Sequence, residues 1–317
     1  MSTKVPVLEI LPELPAARVL DALRAAFTEL AEGKAAQPPQ TVTLLAGGGD
    51  VIAYQAAQGD AYGVKVSPYL PQPGGKAVVT AWTLLLSTRT GRPLLLCDAG
   101  ALTVERTAAT SVLAVDELAP PGAATLAVIG SGPVARAHLR YARAVRDFTS
   151  VRMYSPSLAA SAAPERVAAS AAPEGVSASA VPEGVSVAGS AEEAVAGADV
   201  VLLCTSAAQP VIDVAGLRPG TVVTSISTNA PRAHEIAPQA LAAMDVYGDH
   251  RPTVTATAGE MAIAAEQGLW SAGDLRGDLP ELLTGACPAP TGDRPVFFRS
   301  VGLGIEDLAV ARLLLTL

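Results

Sequence analysis

The run from Thr125 to Ile129 into Gly130, Ser131, Gly132, Pro133, Val134 and Ala135 constrains this chain more than any other stretch. Residues suited to a buried strand stop on Gly-x-Gly-x-x-Ala, and helix-forming residues 134–145 follow without a gap. Gly130 permits the tight turn, Gly132 lets the backbone approach a pyrophosphate, and small Ala135 lets helix and strand pack closely. Pro133 fits the first helical turn, where its missing N–H is no loss. Free N–H groups at the helix start then face phosphates, so the setting predicts a dinucleotide site.

The rest of the chain is consistent with that expectation. Apolar, β-branched runs at 151–154, 185–188, 199–204 and 221–226 alternate with helical or loop segments. This is the pattern of a parallel sheet covered on both faces, and it predicts a Rossmann domain over 121–290. Before it, residues 16–31 have helical periodicity, and 41–45, 50–57, 63–66, 77–87 and 94–98 read as strands. A helix over 102–118 leads into the Rossmann part. The expected fold class is α/β: a Rossmann domain plus a mainly β, α+β substrate and dimerisation domain over 1–120. Residues 296–299 read as a strand and 305–315 as a helix. We expect 291–317 to return to the first domain, placing Ser300 near the interdomain cleft.

Bulk properties exclude several classes. The 317 residues carry a net charge of −8 with Lys and Arg scattered, which argues against nucleic acid as a partner. No apolar run is long enough to cross a bilayer and no basic-flanked apolar segment opens the chain, so a soluble cytoplasmic protein is expected. Cys97, Cys204 and Cys287 are too dispersed for a disulfide framework, and no metal-ligand spacing links them to His138, His234 and His250, so no metal is expected. Residues 159–185 repeat a nine-residue unit three times, with Pro164, Pro173 and Pro182 breaking any continuous helix. We read these repeats as surface expansion without chemistry.

Several short pieces occur in one order: Gly63-Val64-Lys65-Val66, Thr90-Gly91-x-Pro93-Leu94, and Leu102-Thr103-x-x-Arg106-Thr107-Ala108-Ala109-x-Ser111. They continue with Gly130-x-Gly132-x-x-Ala135-x-Ala137-His138, Ala230-Pro231-x-x-x-Glu235, and Phe298-x-Ser300-x-Gly302-x-x-x-Glu306-Asp307. Over nearly its whole length the sequence resembles the ornithine cyclodeaminase and mu-crystallin family. The resemblance implies a homodimer formed through the first domain and a pyridine-nucleotide coenzyme.

It also implies roles. Arg106 matches the family arginine that contacts substrate carboxylate and cofactor, a group suited to a two-pronged grip. Lys65 matches the active-site lysine; burial beside Arg106 would lower its pKa and suit proton delivery. Asn229 stands where the cyclodeaminases have an acid-base aspartate, and an amide can orient a substrate but cannot cycle a proton. Gln40 replaces a substrate-binding arginine, and Thr80 or Trp82 lines that part of the pocket. Pro133, Val134, Ser155, Thr205, Ser225, Ile226 and Ser300 are implied to line the cofactor. No carboxylate stands at Tyr154-Ser155-Pro156-Ser157 to repel a ribose 2′-phosphate, and Ser155 and Ser157 can donate to one, so NADP is expected with NAD tolerated.

These departures favour reduction of a small cyclic ketimine carboxylate, pyrroline-2-carboxylate or piperideine-2-carboxylate, with Lys65, Arg106, Thr80 and Asn229 at the substrate. A protonated ketimine accepts hydride without further acid. The alternatives are an amino-acid dehydrogenase or cyclodeaminase on the same scaffold, or a crystallin-like binder of NADPH and a small ligand without turnover.

Overall fold

The computed structural model describes residues 4–75, 77–162, 181–228 and 230–317. Asn229 and most of the nine-residue repeats therefore lie outside the described residues. The chain divides into two compact units, one of Met1–Leu113, Leu279–Ala286 and Gly302–Leu317, the other of Ala114–Asp278 and Cys287–Val301.

The first unit is built on an eight-stranded sheet: β1 (Val7–Leu8), β2 (Ala35–Ala36), β3 (Thr41–Leu44), β4 (Asp50–Gln58), β5 (Ala61–Pro71), β6 (Ala77–Val79), β7 (Trp82–Ser87) and β8 (Pro93–Asp98). All its pairings are antiparallel except β1 with β8. The single strand expected over 77–87 is two, broken at Thr80 and Ala81, where β5 changes partner from β6 to β7. Helix α1 (Ala16–Ala31) buries Val19, Leu20, Leu23, Ala26 and Phe27 at helical spacing. Helix α2 (Gly100–Leu118) begins in this unit and runs past the division at Leu113.

The second unit is a parallel sheet of β9 (Thr125–Ile129), β10 (Ser150–Tyr154), β11 (Ser186–Val187), β12 (Val200–Leu203), β13 (Val222–Ser225), β14 (Asp245–Gly248), β15 (Gly277–Asp278) and β16 (Val296–Arg299). Its order is β11-β10-β9-β12-β13-β16-β14-β15. Between them run α3 (Pro133–Val145), α4 (Pro156–Ala162), α5 (Ala191–Val195), α6 (Arg251–Thr257) and α7 (Gly259–Glu266). Strands β9, β12, β13 and β16 bury every core residue from Leu126 to Ile129, Val200 to Leu203, Val222 to Ser225 and Val296 to Arg299, as strands covered on both faces must.

Two boundaries differ from the sequence expectation. Strand β16, expected with the first domain, hydrogen-bonds in parallel to β13 and β14 in the second unit, because its four buried residues need neighbours on both edges and both faces. Helix α8 (Leu279–Thr284), expected inside the Rossmann range, packs on α1. Beyond β16 the chain rejoins the first unit as α9 (Gly304–Leu313), whose face contacts β4, β5 and β7. Close approach there requires glycine: a Cβ on Gly304 would lie 2.5 Å from the Gln55 carbonyl oxygen. Among the described residues no helix is long and apolar enough to cross a membrane.

Candidate active site

The order β11-β10-β9-β12-β13 reverses direction at β9, the kind of switch point outside whose strand ends open α/β sheets bind their ligands. Every residue expected to line the cofactor lies at the carboxyl end of a parallel strand in this unit: Gly130, Ser131, Gly132, Pro133 and Val134 after β9, Ser155 and Ser157 after β10, Thr205 after β12, Ser225 and Ile226 at β13, Ser300 after β16. Gly130 has φ +126°, and a Cβ there would meet the Cys204 carbonyl oxygen at 2.5 Å, so only glycine makes this turn. Gly132 is the N-cap of α3, and a Cβ on it would meet nothing within 4 Å. No side chain caps that helix start, which leaves its first-turn N–H groups without a side-chain acceptor. These observations fit a pyrophosphate.

At the end of β10, the Ser155 hydroxyl donates to Ser131 Oγ at 2.8 Å and lies 3.0 Å from Ser157 Oγ. It also accepts from the Leu158 amide, so a cluster of hydroxyls with no carboxylate occupies the position that reads a ribose.

In the first unit, Lys65 of β5 and Arg106 of α2 meet at one carboxylate. Lys65 Nζ is 2.8 Å from Asp307 Oδ2, and Arg106 Nε is 3.2 Å from Asp307 Oδ1. Arg106 Nη1 donates to Glu306 Oε2 at 2.9 Å. All four side chains are buried, and Glu306 and Asp307 stand in the first turn of α9, where a helix favours negative charge. The Tyr54 ring covers Lys65 Nζ at 4.3 Å, and Tyr54, Lys65, Thr83 and Cys97 form one cross-strand row over β4, β5, β7 and β8.

This packing sets the ionisation. Burial, then the Arg106 charge, lowers the Lys65 pKa to about 8 against the pull of Asp307. Burial opposes the Arg106 charge too, but Asp307 and Glu306 more than reverse that and hold the guanidinium firmly protonated. Burial raises the Tyr54 hydroxyl, which stays a donor, and raises Cys97 to about 11, an inert thiol.

The geometry explains motif residues to which the sequence assigned no chemistry. Gly302 has φ +83°, and a Cβ on it would lie 2.5 Å from Arg106 Nη1, so the guanidinium rests on bare backbone. Glu306 and Asp307 supply the counter-charges from 200 and 201 residues away. The threonine opposite Lys65 is Thr83, whose hydroxyl is buried with no hydrogen-bond partner among the described residues. Thr80 is exposed between β6 and β7, its carbonyl accepting from Ser67 Oγ at 3.4 Å. Tyr54 was not singled out in the sequence; its place in β4, in register with Lys65, was the available signal.

A nucleotide-binding parallel sheet and a buried pair of cations together define an oxidoreductase of amino or imino acids that uses a pyridine nucleotide. The chain belongs to the ornithine cyclodeaminase/mu-crystallin family, whose model matches residues 5–315. It is 53% identical over 299 residues, 93% of this chain and 91% of the relative, to the NAD(P)H-dependent anabolic L-arginine dehydrogenase of Pseudomonas aeruginosa. It is 30% identical over 300 residues, 93% of this chain and 89% of the relative, to mouse ketimine reductase mu-crystallin. Among solved structures, the Δ1-pyrroline-2-carboxylate reductase of Thermococcus litoralis, in complex with NADH and L-proline, superposes with a TM-score of 0.82 at 25% identity, covering 98% of this chain and 97% of that one.

Proposed function

We propose that this chain reduces the C=N bond of a 2-imino carboxylate to an amino acid, and that the imine formed by ammonia with the 2-oxo acid of arginine is its main substrate. The observation that carries the reaction class is the pairing of Lys65 and Arg106 around Asp307 in a buried setting. A guanidinium held at Nε and Nη1 by carboxylates keeps a fixed orientation, and its remaining N–H groups can grip a substrate carboxylate. A reduced pyridine nucleotide held at the Gly130–Gly132 turn would supply the hydride for the imine carbon, and the C=N electron pair would pass to nitrogen. Lys65, held near pKa 8 and against Asp307, holds a proton for that nitrogen at neutral pH. Tyr54 shields the ammonium from water on its ring side.

The arginine side chain is supported by the relative that shares 53% identity across 93% of the chain. The reading from sequence, a cyclic ketimine, is the second candidate, supported by the likeness to mu-crystallin and to the pyrroline-2-carboxylate reductase. NADPH is proposed as the preferred coenzyme because hydroxyls, not a carboxylate, stand at Ser155 and Ser157. A homodimer is proposed through the first unit, where Val42, Leu44, Tyr69, Val78 and Val79 of β3, β5 and β6 are exposed.

Purified protein should be assayed with NADPH and then NADH against the 2-oxo acid of arginine plus ammonium, other 2-oxo acids plus ammonium, and the two cyclic ketimines. The expected result is the highest kcat/KM for the arginine precursor with NADPH. Turnover of the rings alone would establish the cyclic reading, and no coenzyme oxidation with any of them would overturn both.

A further inference from the structure

Glu235 lies in the loop after β13 and is fully buried. Five donors converge on its carboxylate: Thr205 N at 3.0 Å and Thr205 Oγ1 at 2.7 Å on Oε1, and Ser225 Oγ at 2.9 Å, Ile226 N at 2.9 Å and Ser227 N at 3.0 Å on Oε2. One oxygen thus holds the end of β12 and the other the end of β13. The chain reaches this position through a strained turn. Arg232 has φ 61°, its carbonyl is 2.8 Å from His234 Nδ1, and a Cβ on Gly259 would lie 2.4 Å from that same carbonyl oxygen. A non-glycine residue kept in the left-handed region marks a turn fixed by its surroundings.

The direction of these bonds matters. The Thr205 hydroxyl gives its only proton to Glu235 and accepts from the Ala207 amide at 3.1 Å. The Ser225 hydroxyl gives its proton to Glu235 and accepts from Arg299 Nη1 at 3.3 Å. Ile226 N–H is directed to the same carboxylate. Three residues expected from sequence to line the coenzyme therefore turn their donors inward; the Ser225 carbonyl in turn accepts from Ser300 N–H at 3.0 Å, and Ile226 keeps a half-exposed side chain. Arg299 reinforces the second turn through the Ser227 and Ala233 carbonyls, and its Nε is 2.9 Å from Glu260. The Glu235 charge is felt nearby: after burial, it is what raises the Cys204 thiol.

We infer that Glu235 is a positioning residue for the nicotinamide half of the coenzyme: it fixes the turns after β12 and β13 against which that half lies, without touching it. A glutamine keeps the shape but has one acceptor oxygen, and its NH2 group would confront N–H donors at one turn or the other. The inference rests on the coenzyme part of the reading above and not on its substrate.

The test is to titrate the full-length protein with NADPH, by the fluorescence of the reduced nicotinamide, and with 2′-phospho-ADP-ribose, which lacks nicotinamide, by calorimetry. Glu235→Gln is expected to raise the Kd for NADPH about tenfold or more and to change that of the fragment by less than about twofold. Ser225→Ala and Thr205→Val, which each remove one hydroxyl donor and leave the carboxylate, should weaken NADPH alone by about two- to fivefold. They carry the test if Glu235→Gln fails to fold. Equal weakening of both ligands, or of neither, overturns the inference. Wild-type protein that binds no NADPH overturns the coenzyme reading itself, whereas tight NADPH binding without turnover of any imine removes only the substrate reading.

Discussion

Two buried carboxylate clusters, one in each unit, are held in opposite ways. In the first, Glu306 and Asp307 face cations, Lys65 and Arg106; in the second, Glu235 is surrounded by hydroxyls and amides. Buried opposite charges have to offset a large desolvation cost and contribute little net stability, whereas removing one partner is severe, about 3–5 kcal/mol. A carboxylate bound by neutral dipoles fixes the geometry of a loop while leaving no cation to attract an anion. The first arrangement suits a site that must meet charge, the second a site that must hold shape. Single residues repeat the contrast. Burial lowers the pKa of both Lys65, to about 8, and His138, to about 4, yet at neutral pH the lysine stays charged and the histidine neutral.

Gly302→Ala presses hardest on the charged side. A Cβ 2.5 Å from Arg106 Nη1 at a φ of +83° must displace the guanidinium, so kcat/KM should fall by about 100-fold or more, with about 1–3 kcal/mol of destabilisation. NADPH affinity should be unchanged, and a parallel loss of coenzyme binding in the titration would merge the two systems that we separate. A smaller effect is expected from pH. If Lys65 is the proton-bearing group, kcat/KM for reduction should fall up to tenfold per unit as pH rises through about 8, and a profile flat from pH 7 to 9.5 would remove Lys65 from that role. Stability runs the other way: the folded pKa lies below the ordinary 10.5, so the cost of burying this ammonium is full below about pH 8 and is relieved between 8 and 10.5.

His138 leaves activity at neutral pH untouched and acts on stability alone. Its Nδ1 lies 2.8 Å from the Val134 carbonyl at the start of α3, and its folded pKa of about 4 is below the usual 6.5. The unfolded chain binds the extra proton between those values, so stability should be lost as pH falls from 6.5 toward 4, by about 1.4 kcal/mol per unit. Urea denaturation of wild type and His138→Asn at pH 7 and pH 5 checks this; equal losses in the two proteins would mean that the neutral ring contributes nothing.

What the sequence revealed followed from local physics. Helix α1 was bounded at Ala16 and Ala31 because its apolar residues recur at helical spacing, and the strand, glycine turn and helix at 125–145 are adjacent in the chain. Lys65 stood out through the family motif Gly63-Val64-Lys65-Val66 that it matches, with its place in an apolar strand as support. What escaped was non-local. Strand β14, only four residues long, has a charged first residue and ends on glycine, so its burial comes from β16 and not from its own pattern. The partners of Lys65 and Arg106 lie more than 190 residues downstream, and periodicity carries no information across that separation. Glu235 likewise read as one motif letter until the ends of β12 and β13 were seen on either side of it.

The first unit's polar centre holds two positive and two negative groups, Lys65 and Arg106 with Glu306 and Asp307, and is formally electroneutral. A substrate carboxylate adds an excess anion to a medium that solvates it poorly; a 2-imino acid relieves this by keeping a proton from Lys65 on its basic nitrogen while Lys65 is reprotonated from solvent, whereas the far less basic carbonyl oxygen of the parent oxo acid holds none. For the proposed reaction, chemoselectivity for C=N over C=O is thus written into a charge tally rather than into pocket shape.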